Sequence, residues 1–129
     1  MAGLRKILLI EDNLELRNLY EIFLKQHGYD VAVAADGDAG LEVAKHIHPE
    51  LIFLDVMMPK KNGFEVLKLL RHNPEYGCTK AKIVVLTNLG DSSRVSPEVR
   101  RDMDGYVIKA EIELGNLIDI IKSFDHGSS

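Results

Sequence analysis

Tryptophan is absent from this chain, cysteine occurs once, proline four times, and no apolar run approaches the roughly 20 residues that span a bilayer. Each shortage excludes something. The lone cysteine, Cys78, lies in the polar stretch NPEYGCTKAK, so neither a disulfide nor a thiolate metal cluster is available. No activating neighbour accompanies it in sequence, and it reads as an ordinary loop position. The amino terminus MAGLRKILLIED has neither the length nor the cleavage pattern of a signal peptide. A cytoplasmic protein without membrane insertion is expected. A basic block is missing too: the net charge is −4, and the 16 lysines and arginines are scattered. Direct nucleic-acid binding is therefore not expected. Of the five histidines only His46 and His48 stand close together, flanking a helix end where they are expected to face water.

What is present describes one compact domain. The 129 residues are 46% hydrophobic and 28% charged, enough to bury one core but cramped for two. Short apolar runs alternate with helical patterns. KILLI (6–10) reads as a strand buried on both faces. Asn13 caps a helix that turns Leu16, Leu19, Tyr20 and Phe23 inward and stops at Gly28. A second strand is expected near Tyr29–Ala34, then a helix opened by Asp36 with Val43, Ala44 and Ile47 inward, closed at His48–Glu50. LIFLD (51–55) is the third strand. A third helix runs from about Gly63 to Asn73 and is ended by Pro74. KIVVLT (82–87) and YVIK (106–109) complete the strands, and a last amphipathic helix places Leu114, Leu117, Ile118, Ile121 and Phe124 on one side. Pro97 is tolerated only in a first helical turn, so the helix before YVIK should be short, starting near Ser96 after a loop over 90–95.

Strict alternation predicts an α/β fold, a parallel sheet with helices on both faces, and such sheets carry their chemistry outside the carboxyl ends of the strands. Glu11, Asp12, Asp55, Thr87 and Lys109 all stand at such ends. Taken one at a time they are unremarked: Glu11 and Asp12 read as a solvated strand end, Thr87 and Lys109 as loop polarity, Tyr106 as a half-buried aromatic, Met57 and Met58 as gap fillers. Asp55 is different, because a carboxylate ending an apolar strand is costly without a cation nearby. Three carboxylates in one crevice call for a hard divalent ion and a lysine. That set, with a threonine hydroxyl, suits transfer of a phosphoryl group onto Asp55.

These residues, in this order, resemble the receiver domain of two-component response regulators. The acidic pair is Glu11 and Asp12, LDVMMP contains Asp55, VVLTN contains Thr87, and DGYVIK contains Tyr106 and Lys109. The resemblance spans nearly the whole chain, with residues 1–125 as the domain and HGSS (126–129) as a disordered tail or expression remnant. It implies a flavodoxin-like five-stranded sheet in the order 2-1-3-4-5. It also implies Mg²⁺ bound by Asp12, Asp55 and the backbone carbonyl of Met57, with Glu11 contributing through water. Asp55 would be the phosphoacceptor, a sensor histidine kinase or phosphotransfer protein the donor, and a downstream protein the recipient of a switch carried by Thr87 and Tyr106. The chain would be a signalling phosphoacceptor assisting its own phosphorylation and dephosphorylation, not an enzyme.

Three alternatives compete. A flavin or dinucleotide binder lacks support, since the turn after the first strand reads EDNLEL and has no glycines for a phosphate. A phosphatase of the haloacid dehalogenase type carries a second aspartate where this chain has Met57. A degenerate receiver acting only as a protein-interaction module is opposed by the intact set of chemical positions. Departures from the family pattern are Ala110 in place of the usual proline after the lysine, implying a trans peptide there, and Asn88, bulkier than the usual small residue. Met57 and Leu89, flanking the path of an attacking water, are apolar and imply slow loss of phosphate.

Overall fold

The computed structural model of the protein describes residues 5–56, 63–87, 96–109 and 112–125. Its elements are β1 (Lys6–Ile10), α1 (Leu14–Gln26), β2 (Asp30–Ala34), α2 (Gly37–Ile47), β3 (Leu51–Asp55), α3 (Gly63–His72), a 3-10 turn at Pro74–Tyr76, β4 (Lys82–Thr87), α4 (Pro97–Asp102), β5 (Gly105–Ile108) and α5 (Leu114–Asp125). All strand pairs are parallel, and the sheet order is β2-β1-β3-β4-β5.

The central strands are apolar throughout because both faces are covered, and successive side chains point to opposite sides. Ile7, Leu9, Leu51, Phe53, Val84 and Leu86 face α1 and α5, where Tyr20, Leu24, Leu117 and Ile121 meet them. Leu8, Ile10, Ile52, Leu54, Ile83 and Val85 face α2 and α3, against Leu41, Ala44, Val66, Leu67 and Leu70. A fully buried Leu or Ile contributes about 1.5–3 kcal/mol. One slip in register would exchange the two faces.

Helix starts follow the cap signals. Asn13 accepts from Leu16 N, Asp36 from Ala39 N and Ser96 from Val99 N. Proline in the first turn sets the start of α4 after the Ser96 cap, as expected from Pro97, and the extended backbone at Met103 ends the helix after six residues; the loop expected over 90–95 lies outside the described residues. Two expectations need correction. Leu19 is 48% exposed, with Leu14 and Ile22 beside it, because α1 is apolar on more faces than it can bury. Cys78, placed in a polar stretch, is fully buried in the α2–α3 core with its thiol directed at the Tyr76 carbonyl. The second and fifth strands begin at Asp30 and Gly105, each one residue from its expected start. His46 and His48 are exposed, as expected.

Candidate functional site

Register brings the strand ends level. Ile10 pairs with Leu54, Asp55 with Leu86, and Thr87 with Ile108, so Glu11, Asp55, Thr87 and Lys109 emerge at one edge of the sheet. Glu11, Asp55 and Thr87 are fully buried, whereas Asp12 is exposed. One ligand oxygen from each of Glu11, Asp12 and Asp55 lies within 4.8 Å of the others. The sequence-expected set is thus gathered in space.

Lys109 reaches this cluster from beyond β5 with its side chain 9% exposed. Its Nζ donates to Glu11 Oε2 at 3.1 Å and Asp55 Oδ2 at 3.3 Å. Glu11 Oε1 is nearer, at 2.9 Å, and is ion-paired by distance, with no hydrogen-bond donor directed at it among the described residues. The rest of Glu11 is held: its N–H donates to the Ala34 carbonyl, Oε2 accepts from Asn13 N, and its carbonyl accepts from Arg17 Nη1, each at 3.0 Å. Arg17 went unremarked in sequence. Its only signal is a cation on α1 just after the acidic pair.

Electrostatics follow from this crowding. Although Asp12 is exposed as a residue, partial desolvation of its carboxyl beside the buried strand ends, and then the neighbouring Asp55 carboxylate, raise it above its ordinary value. Burial works against the Lys109 ammonium, but hydrogen bonds and charge from Glu11 and Asp55 outweigh it and raise the group overall. Tyr20, on the inner side of α1, is raised by burial and then by the charge of Glu11. With three carboxylates and one ammonium ionised, the cluster carries two net negative charges among the described residues.

This donor set fits a small hard cation. All three donors are carboxylate oxygens gathered within 4.8 Å of one another, the ligand type that small hard cations take, and the uncompensated charge matches a dication. The amino end of α3 is packed against the turn after Asp55: a Cβ on Gly63 would collide with Val56 Cα and come 2.9 Å from the Asp55 carbonyl. Backbone cannot yield there, so only glycine allows the close approach. Thr87 ends β4, and Tyr106 lies half-buried on β5, opposite Val85 and against the α2–α3 core. Met57, Asn88, Leu89 and the Lys109–Ala110 peptide lie outside the described residues.

A fold of this order with an acidic cluster at the strand ends defines a class, and comparison with known proteins gives its family. The family model of the response regulator receiver domain matches residues 7–122, and the chain belongs to that family. Among curated relatives, the probable transcriptional regulator ycf27 of Porphyridium aerugineum is 35% identical over 128 residues, covering 96% of this chain and 51% of the relative. The chain spans about half the length of the curated relatives it matches. Among solved structures, the chemotaxis response regulator CheY4 of Vibrio cholerae superposes with a TM-score of 0.82 at 25% identity, covering 95% of this chain and 99% of that one. The response regulator TrrA of Thermotoga maritima, solved in complex with Mg²⁺-BeF, gives 0.79 at 27% identity over 93% of this chain and 98% of that one. Among the described residues no helix is long and apolar enough to cross a membrane.

Proposed function

We propose that this receiver domain accepts a phosphoryl group on Asp55 from a histidine kinase or phosphotransfer protein and changes its affinity for a downstream protein as a result. The observation that carries the reading is a buried aspartate gathered with two further carboxylates and bridged to Glu11 by one ammonium. Burial of an aspartate among like charges lowers stability and is retained where the carboxylate has work to do.

Glu11, Asp12 and Asp55, together with the Met57 carbonyl, would hold Mg²⁺, which neutralises the peripheral oxygens of the transferring group when bound. An oxygen of Asp55 forms the new bond to phosphorus while the bond from phosphorus to the donor breaks, its electron pair leaving with the donor. Lys109, already within 3.3 Å of Asp55, stabilises the added charge without moving far. Thr87, at the neighbouring strand end, donates its hydroxyl to a phosphoryl oxygen. Drawing Thr87 toward the phosphate leaves room for Tyr106 to turn further inward, a shift in population between two arrangements of one fold.

Intact mass measurement tests this. After incubation with Mg²⁺ and a small phosphodonor, wild type should gain one phosphoryl group and Asp55→Asn none, because an amide is a poor nucleophile. Equal labelling of both would place the acceptor elsewhere, and no labelling of either would favour a receiver fold used only as an interaction module.

A further inference from the structure

Of the three clustered carboxylates, Glu11 and Asp55 are fixed by burial, whereas Asp12 is exposed and faces like charge. Repulsion favours an Asp12 side chain swung out toward water, away from Asp55. Its carboxylate oxygen nevertheless lies within 4.8 Å of both neighbours. The backbone on either side of Asp12 accounts for this.

Two planar peptide units meet at the Asp12 Cα, and a hydrogen bond fixes each. The unit after Asp12 carries the Asn13 N–H, which donates to Glu11 Oε2 at 3.0 Å. The unit before it carries the Glu11 carbonyl, which accepts from Arg17 Nη1 at 3.0 Å. With both planes set, the direction in which the Asp12 side chain leaves the backbone is set too. Glu11 is itself anchored, its N–H on the Ala34 carbonyl at 3.0 Å and its Oε2 also on Lys109 Nζ at 3.1 Å. Of the side chains in these bonds, Arg17 alone has no part in the proposed phosphoryl transfer.

Helix geometry puts Arg17 where it can act this way. Its N–H closes the first turn of α1 on the Asn13 carbonyl at 2.9 Å. Side chains on a helix lean toward the amino terminus, so Arg17 leans back over the turn that carries the acidic pair. A long side chain ending in a fork of donors reaches a carbonyl six residues earlier.

We propose that Arg17 is a positioning residue for the divalent cation: it locks the peptide between Glu11 and Asp12 and so holds the Asp12 carboxylate toward Asp55 against their repulsion. The proposal rests on the reading of Glu11, Asp12 and Asp55 as a metal site. The charge of Arg17 would act the other way, because a guanidinium beside the site repels a dication and offsets the charge of Asp12. Position and charge therefore predict opposite signs when Arg17 is replaced.

Calorimetric titration with Mg²⁺ and with Ca²⁺ provides the test, on wild type, Arg17→Met and Arg17→Lys, each shown by circular dichroism to be folded. Mg²⁺ requires a near-octahedral ligand set, whereas Ca²⁺ accepts irregular ones. Arg17→Met should weaken Mg²⁺ binding at least about tenfold and Ca²⁺ binding by no more than about threefold. Arg17→Lys keeps the charge with a shorter reach and should fall between, deciding the matter alone if Arg17→Met does not fold. Tighter Mg²⁺ binding in Arg17→Met would mean that charge dominates, and equal losses for both ions a general loss of structure. Either result, or Arg17→Lys binding Mg²⁺ as wild type does, overturns the proposal. A second arm needs no metal. In chelator, Asp12→Asn should raise the urea midpoint of the wild-type chain by relieving repulsion from Asp55. In the Arg17→Met background, where Asp12 is free to swing out, that rise should be less than about half as large. A rise of the same size or larger overturns the positioning role. If wild type binds neither ion, the metal-site reading fails instead, and the chelator arm still decides whether Arg17 holds Asp12 in place.

Discussion

The two ends of the sheet handle charge in opposite ways. At the carboxyl ends, Glu11 and Asp55, both fully buried, share the Lys109 ammonium, and the Asp12 carboxylate is gathered beside them. At the amino ends, Arg71 and Asp104 meet at 2.7 Å, each also bonded to backbone, and Glu50 Oε1 accepts from the amides of Arg5 and Lys6. Matched charge with saturated hydrogen bonds stabilises; like charge crowded out of water destabilises. The stable end therefore carries the strain of the reactive one, where a dication and a phosphoryl group are proposed to arrive.

The same substitution at each end should therefore act with opposite sign. Asp104→Asn removes the charge facing Arg71 and weakens a bond to Ile83 N. It should lower stability by about 1–2 kcal/mol once partial exposure is discounted. Asp55→Asn removes one of three mutually repelling carboxylates and, in chelator, should raise stability by up to about 1 kcal/mol. Urea titrations of the two variants beside wild type measure both. A loss of stability in Asp55→Asn would show that the Lys109 bridge outweighs the repulsion, and the contrast between the ends would fail.

Much of the reactive end was legible in the sequence, and little of the stable end. Short apolar runs closing on acid, threonine or lysine announce where strands stop, and parallel order then makes those stops converge. The family resemblance supplied the strand order. Pro97 announced the short α4 because one missing N–H has few helical positions to occupy. Arg71 carried no such mark. Its partners are mostly carbonyls, which every residue possesses, so nothing in the side-chain pattern singles out Thr79, Ala81 or Asp102. Leu19 misled for a related reason: with Leu14, Leu16, Tyr20, Ile22, Phe23 and Leu24 around it, α1 has two defensible apolar faces, and only packing against α5 and the sheet chooses.

A smaller effect concerns proton binding at the crowded end. The Asp12 carboxyl is raised above its ordinary 3.8, first by partial desolvation and then by Asp55. In the window above 3.8 the folded chain holds this proton more tightly than the unfolded chain. Stability should thus fall as pH rises through that window, the penalty being absent below 3.8. Melting temperatures in chelator should show the decline, and Asp12→Asn should flatten it. Saturating Mg²⁺ should reverse it, adding about 2.7 kcal/mol at a hundredfold excess over Kd. A pH slope unchanged in Asp12→Asn would assign it to another group.

The smallest expected effect at neutral pH lies at the sealed end, in Cys78. Burial pushes its thiol from 9.0 to about 11, against the opposing charge of Arg71. The folded chain keeps the proton at pH values where the unfolded chain has lost it, so this group's contribution to stability declines only as pH climbs from 9.0 toward 11 and is negligible at pH 7. Reactivity is the sharper readout, because the thiolate is the nucleophile and a two-unit rise cuts its fraction roughly a hundredfold before steric shielding is counted. Alkylation by iodoacetamide at pH 8 should accordingly proceed at least about a hundred times more slowly in the native chain than in urea. Arg71 holds the carbonyls of Thr79 and Ala81 just beyond this cysteine, so Arg71→Met should open the route and speed native-state labelling, whereas Asp55→Asn should not. Fast labelling of the native wild-type chain would mean that the amino end opens as readily as the acidic one, and the division of labour between the two ends would be wrong.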